Sequence, residues 1–453
     1  MHLKRTLDLK KILIIGAGRS SNGLISYLKN KHISNNWHIT LADYNLSAAE
    51  SKIAGLSHFS AKQLDVRKEE QLQKHINEAD IIISLVPAHL HYLIALQCVN
   101  FSKTLVTASY VNPEIQALHE AAKQKGVLLL MEMGLDPGID HLSAKEQIDK
   151  IQNKGGEIKS FKSFTGGLIA PESDDNPWHY KFTWNPRNVV LAGQGAVKFL
   201  RNGALNYIPY HNLFKNIEKI EIAGYGNFEA YANRDSLKYQ ELYGLTNIET
   251  LLRGTLRKEG FCEAWDAFVQ LGFTDDTYEI EGVKGVSYCD FLDAYLPANE
   301  TTSTRERLAE FLKTDSDSEL MKKLLWIGIC SDDKINIESG SPAAILQSLL
   351  EKKWTLKPED KDMIIMNHSI DYELDSKMYQ VNSTLVIKGD DAEHTSMSKT
   401  VGIPIGIAIQ QILSNKWQHL TGVHIPTHSD IYNPVLKELE KENIIFSHQQ
   451  IEL

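Results

Sequence analysis

Short apolar runs alternate with helical patterns over residues 11–131, and that alternation admits few folds. Residues 11–15 form a compact apolar run that ends in Gly16-Ala-Gly18-Arg19-Ser20-Ser21, and a helical pattern follows over 24–28. Further strands are expected at 37–41, 63–67, 80–85, 104–107 and 127–131, with helices through 75, near 89–98 and over 113–125. Strands separated by helices in this way indicate an α/β fold built on a doubly wound parallel sheet.

The glycine turn gives that sheet a ligand. Two glycines at Gly16-x-Gly18-x-x-Ser21 let the backbone turn sharply and approach a pyrophosphate, whose charge a helix N-terminus meets. The third fingerprint position is Ser21 rather than glycine, so the motif is incomplete, although a small residue still permits helix–strand packing. The fold expected is therefore Rossmann-type, with Gly16, Gly18, Arg19, Ser20 and Ser21 around the cofactor phosphates. Asp43 ends the second strand, where an acidic group bonds the ribose hydroxyls of NAD and repels the extra phosphate of NADP. That favours NAD, with Arg19 as the opposing sign, since it could face a 2′-phosphate or stack on adenine. Asp65 and Val66 are expected beside the adenine, and Leu85, Val86 and Pro87 over the nicotinamide ribose, because open α/β sheets bind ligands at strand carboxyl ends.

Bulk properties narrow the remaining classes. A chain of 453 residues buries a sizeable core and has room for two or three domains. Its formal charge of −10 argues against nucleic acid, whose phosphates call for massed Lys and Arg. The same charge means that an anionic substrate must be gripped by local cations. Cys98, Cys262, Cys289 and Cys330 are scattered without a CxxC pair, which suggests neither a metal site nor a disulfide framework and fits a reducing cytoplasm. The basic N-terminus with its short apolar run reads as a buried first strand rather than a signal peptide, and no apolar stretch reaches membrane-spanning length.

The pattern changes after Gly134-Leu-Asp136-Pro-Gly138. Strand-like segments at 160–165, 217–223 and 382–388 mix with helices, and helical patterns dominate 239–348. The expected organisation is a dinucleotide-binding domain over 1–135, completed by about 396–453. An α/β domain for substrate and dimerisation spans 136–238 and 349–395, with a helical insertion at 239–348. The segment 398–413 is small-residue-rich and interrupted by Gly402, Pro404 and Gly406, as in an element packed tightly on another.

The segment Met133-Gly-Leu-Asp-Pro-Gly-Ile-Asp-His-Leu142 resembles the one that follows the dinucleotide domain in saccharopine reductases and in the dehydrogenase half of aminoadipic semialdehyde synthase. The likeness continues at Gly166-Gly-Leu-Ile-Ala-Pro-Glu172, Asp175-Asn-Pro177, Tyr180-Lys-Phe-Thr-Trp184 and Tyr231-Ala-Asn-Arg-Asp-Ser236. It takes in Leu252-Arg-Gly-Thr-Leu-Arg257, Ser398-Lys-Thr-Val-Gly-Ile-Pro404 and Asn433-Pro-Val-Leu-Lys-Glu-Leu439, and so covers nearly the whole chain. One block departs from the fungal pattern: Phe164-Thr165-Gly-Gly167 stands where those reductases often carry a cysteine. A cysteine there is then not essential, if fold and reaction are shared.

The resemblance implies that saccharopine, oxidised cofactor and water give glutamate, 2-aminoadipate 6-semialdehyde and reduced cofactor, in a cytoplasmic enzyme of lysine metabolism that forms a homodimer. Hydride loss would give an imine, hydration a carbinolamine, and collapse the two products. Carboxylates are best held by the planar fork of Arg, and the resemblance places Arg234, Thr255, Leu256 and Arg257 around the three carboxylates of saccharopine. Arg187, Lys181 and Arg253 are weaker alternatives. Ser109 and Tyr110 follow the fifth strand and should open onto the cleft. Read alone, Tyr110 is a packing residue and Asp136 a turn residue. The resemblance makes Ser109 and Tyr110 substrate contacts and Asp136 the reaction-centre carboxylate. Asp140 and His141 are expected to support that turn. Two other readings stay open: a carboxynorspermidine-type reductase, and a non-catalytic NAD-binding regulator.

Overall fold

The computed structural model describes residues 8–299 and 301–453, and residues 1–7 of the basic N-terminal stretch lie outside it. The chain divides into two units, 1–156 with 393–447 and 157–392 with 448–453.

Among the described residues of the first unit, seven parallel strands form one sheet. Their spatial order is Gly422–His424, Leu128–Leu130, Thr104–Thr107, Ile81–Ser84, Lys10–Ile15, Trp37–Asp43 and Phe59–Gln63. The order reverses at Lys10–Ile15, so the glycine turn leaves the sheet at its topological switch point, where such sheets bind ligands. Ile81, Ile82 and Ile83 are wholly buried, as befits a strand covered by helices on both faces. The third strand, Phe59–Gln63, begins earlier than its sequence suggests, and residues 64–67 form its exit. Its polar Ser60, Lys62 and Gln63 obscure it because it lies at the sheet edge.

Gly402, Pro404 and Gly406 do not interrupt their segment, which is a single helix, Ser396–Leu413. It packs on the first helix, Ser21–Asn35, so closely that glycine is required. A Cβ on Gly23 would fall 2.0 Å from the Ser398 carbonyl oxygen, and one on Gly402 would fall 2.2 Å from the Leu24 nitrogen. Gly406 lies against the ring of Tyr27 in the same way. Close backbone approach, not a break in the helix, explains these small residues.

The second unit is built on a mixed sheet with helices; among the described residues that sheet has nine strands, and Ile280–Glu281 pairs separately with Ser339–Gly340. Thr250–Lys258 is one of its inner strands, paired with Gly226–Ala232 and Glu157–Ile169, although it falls within the stretch expected to be a helical insertion. The final strand, Ser447–Glu452, also joins this sheet rather than the first one. The helix Ile139–Gln152, expected to open the second domain, packs on Ser429–Lys441 within the first unit. The core of the second unit is aromatic: Trp178, Tyr180, Phe182, Phe261, Trp265 and Trp354 are nearly inaccessible and meet edge-to-face or stacked. No described helix is long and apolar enough to cross a membrane.

The helix pair generates a direct test. Gly23→Val is expected to cost about 1–3 kcal/mol through overpacking, read as a lower midpoint in thermal unfolding. An unchanged midpoint would show that the two helices do not approach as described.

Candidate functional site

Gly16 adopts φ +114°, and a Cβ there would lie 2.6 Å from the Leu85 carbonyl oxygen, so the first and fourth strands meet at this turn without room for a side chain. At Gly18 a Cβ would meet nothing within 4 Å, so the bare backbone opens on free space. Ser20 precedes the helix without capping it through its side chain. Ser21 is buried, and its hydroxyl donates to the Gly18 carbonyl at 2.7 Å, which is how serine serves at the third motif position. An uncapped helix start behind an open, side-chain-free turn fits an anionic group such as a pyrophosphate.

Asp43 stands at the end of Trp37–Asp43 as expected, but both of its oxygens face the backbone. Oδ2 accepts from the Ala17 N–H at 2.7 Å and Oδ1 from the Asn45 N–H at 2.8 Å. Its charge therefore braces the glycine turn. Arg19 is exposed, and Lys52 lies near Asp43 with its ammonium donating to Asn22. Burial draws Lys52 below its ordinary value, with Glu393 and Asp43 acting the other way.

Asp65 is engaged by its neighbour: Arg67 donates to both its oxygens at 2.9 and 3.1 Å and holds the carboxyl below its usual range. Val66 is buried. Leu85 and Val86 are half-buried and Pro87 exposed, at the end of Ile81–Ser84. Beneath them the buried Ser84 hydroxyl lies 2.7 Å from His91 Nδ1, a pair that the sequence does not announce. Burial, reinforced by His89, pushes His91 down to about 4, so its ring is neutral and serves to hold this strand exit.

The strand Thr104–Thr107 leads to Ser109 and Tyr110, both half-buried. The Tyr110 hydroxyl donates to Asp136 Oδ1 at 3.1 Å, so two residues far apart in sequence meet. Asp136 sits in a tight turn in which Gly134 donates to the Pro137 carbonyl and Ile139 to the Gly134 carbonyl. The Gly138 N–H is held at 2.6 Å by Asp140 Oδ1, which confirms a supporting position for Asp140. His141 is fully buried, with Nε2 2.7 Å from Glu132 Oε2. Glu132 lies in the apolar run Leu128-Leu-Leu-Met-Glu-Met133; an acid so placed signals a buried, partnered carboxylate.

In the second unit, Arg234 and Arg257 have different surroundings. Arg234 is exposed at φ +52°, on a turn pinned from several sides. Its carbonyl accepts from the Lys198 N–H, Asn233 donates to the Arg253 carbonyl, and Ser236 donates to the Lys198 carbonyl. The carboxylate of Asp235 meets Lys198 Nζ at 2.9 Å. Arg257 is buried instead, its guanidinium 5.1 Å from the ring of Tyr180, 5.3 Å from Phe261 and 5.9 Å from Tyr231. One of its N–H groups donates to the Leu256 carbonyl, and Leu256 is itself fully buried. Burial keeps the phenols of Tyr180 and Tyr231 above their ordinary range, so the cage around this cation is neutral. Thr255 is half-buried and pairs in register with Tyr231. The weaker alternatives all have partners: Lys181 with Asp175 and Asp360, Arg187 with Asp276, and Arg253 over the ring of Tyr239.

Residues 12–130 match the family described as Saccharopine dehydrogenase NADP binding domain, and residues 134–445 match Saccharopine dehydrogenase C-terminal domain. The chain is 35% identical to the Schizosaccharomyces pombe protein named Saccharopine dehydrogenase [NADP(+), L-glutamate-forming], over 98% of this chain and 100% of that one. It is 33% identical to the rat mitochondrial alpha-aminoadipic semialdehyde synthase, matching over 97% of this chain and 48% of that longer protein. A solved structure of apo saccharopine dehydrogenase (L-Glu forming) from Saccharomyces cerevisiae superposes with a TM-score of 0.89 at 30% identity, covering 98% of this chain and 100% of that chain. NADP stands in these names, whereas the charge of Asp43 was expected to favour NAD; both oxygens of Asp43 are bonded to backbone N–H groups. With both units matched and the likeness running end to end, the chain belongs to the saccharopine dehydrogenase family of oxidoreductases.

Proposed function

We propose that this chain is a saccharopine dehydrogenase of the glutamate-forming kind, acting in lysine metabolism as a cytoplasmic homodimer and preferring NADP. Saccharopine, NADP⁺ and water would give L-glutamate, 2-aminoadipate 6-semialdehyde, NADPH and a proton. The observation that carries the reading is the Tyr110–Asp136 hydrogen bond, in the same unit as an open glycine turn and in a chain alike to its relatives from end to end.

The cofactor supplies the hydride acceptor. Gly16, Gly18 and the helix start at Ser21 would hold its phosphates, and Arg19 and Lys52 would supply positive charge for the 2′-phosphate of NADP. Leu85, Val86 and Pro87 would flank the nicotinamide ribose, with Asp65 and Val66 toward the adenine.

Asp136 would pair with the substrate ammonium and orient the carbon–nitrogen bond. By donating to Oδ1, Tyr110 would fix the orientation of the carboxylate that meets the amine. A carboxylate in that position can take the amine proton before the imine forms and return one as the carbinolamine collapses. Ser109 would add a hydroxyl contact to a substrate carboxylate. Arg234 is the carboxylate fork of this proposal, because it is exposed on a pinned turn. Arg257, with Leu256 and Thr255, would support the substrate side from its aromatic cage, as a buried positive charge rather than an outward clamp.

Cofactor reduction measured with saccharopine, with carboxynorspermidine and with no substrate tests the reading. Turnover with saccharopine alone is expected, and Arg234→Ala should raise its KM about tenfold or more, as loss of a charged hydrogen bond of ~1.5–3 kcal/mol implies, with cofactor affinity nearly unchanged. Reduction with carboxynorspermidine alone, or binding without reduction, would overturn it.

The cofactor assignment has its own check. Asp43→Ala should weaken NADPH and NADH together and leave their ratio of affinities nearly constant, because the carboxylate holds Ala17 and Asn45. A large gain in NADPH over NADH would mean that Asp43 faces the ribose after all.

A further inference from the structure

We infer that Glu132 is a positioning residue that holds Tyr110 and Asp136 in register; the inference rests on the reading that these two meet the substrate.

Glu132 leaves the strand Leu128–Leu130 in the left-handed region, at φ +58°, a conformation that a residue with a side chain keeps only when its surroundings enforce it. Three bonds to three places do so. Its N–H donates to the Ser109 carbonyl at 3.1 Å. Its Oε1 accepts from the Val111 N–H at 3.0 Å. Its Oε2 meets Nε2 of the fully buried His141 at 2.7 Å.

Ser109 and Val111 are the chain neighbours of Tyr110, so Glu132 grips the backbone on both sides of that residue. His141 belongs to the helix Ile139–Gln152, whose first turn continues directly from the Asp136 turn through the Ile139–Gly134 and Leu142–Gly138 backbone bonds. One buried side chain thus ties the segment carrying the phenol to the segment carrying the carboxylate. The next residue, Met133, donates to the Thr107 carbonyl and so fixes the anchor itself to the sheet.

A simple core acid would need satisfied oxygens and nothing more. Glu132 instead spans the two segments whose separation sets the Tyr110–Asp136 contact at 3.1 Å. Glu132 is only 7% exposed, and its two carboxylate oxygens are engaged by Val111 and His141, so its influence passes through geometry.

The test uses the full-length enzyme with saccharopine, reading kcat and KM beside NADPH binding and thermal unfolding. Glu132→Ala should lower kcat by about 30-fold or more, since a ~1 Å misplacement costs on the order of a hundredfold, while NADPH affinity stays within about twofold. Glu132→Gln, which keeps an oxygen toward Val111, should recover most of that loss. If Glu132→Ala does not fold, Glu132→Asp decides: it keeps the charge but shortens the reach, and kcat should fall about tenfold by the same misplacement. A folded Glu132→Ala or Glu132→Asp enzyme with wild-type kcat overturns the inference alone. A wild-type chain inert toward saccharopine overturns the functional reading, and this inference with it.

Discussion

Carboxylates that accept backbone N–H groups hold the turns on which both units depend. Asp43 holds Ala17 and Asn45, Asp140 holds Gly138, and Glu132 holds Val111. In the second unit, Glu229 holds Gly260 and Cys262 at the start of the helix Phe261–Gln270. Such charge-assisted bonds are shorter and stronger than neutral ones, and a buried N–H left without its acceptor costs about 1–3 kcal/mol. The turns concerned are sharp, with Gly16, Glu132, Gly138 and Gly260 all at positive φ. Anionic side chains compensate for backbone that no sheet or helix can satisfy.

This use of charge sorts the acidic residues by role. An acid with both oxygens bonded to main-chain N–H groups shapes the turn around it, which is the case of Asp43. Asp136 is different, since a side chain, that of Tyr110, meets its Oδ1. The basic residues divide in a similar way. Arg234 is presented on a turn fixed by Lys198 and Arg253, whereas Arg257 is enclosed by aromatic faces.

Much of this was legible beforehand, and the failures have physical causes. Apolar runs such as residues 81–83 betray their strands because both faces are buried, and the glycine turn marks the switch point by itself. Thr250–Lys258 was hidden because Arg253 and Arg257 make an inner strand look amphipathic, when both are in fact buried against aromatic rings. Gly402 and Gly406 read as interruptions because a lone sequence does not show the neighbouring helix that excludes their side chains. For Asp43, spacing located the residue but not the direction of its carboxylate. The contact of Tyr110 with Asp136 is a product of topology, and local pattern carries no trace of it.

Amide hydrogen exchange resolved to single residues tests the bracing directly. Ala17, Val111 and Gly138 lie in irregular segments, yet their N–H groups should exchange as slowly as those of the strand Ile81–Ser84. Exchange at the rate of exposed loops would mean that the carboxylates do not hold these turns, and the account of both the cofactor turn and the Tyr110–Asp136 pair would fail.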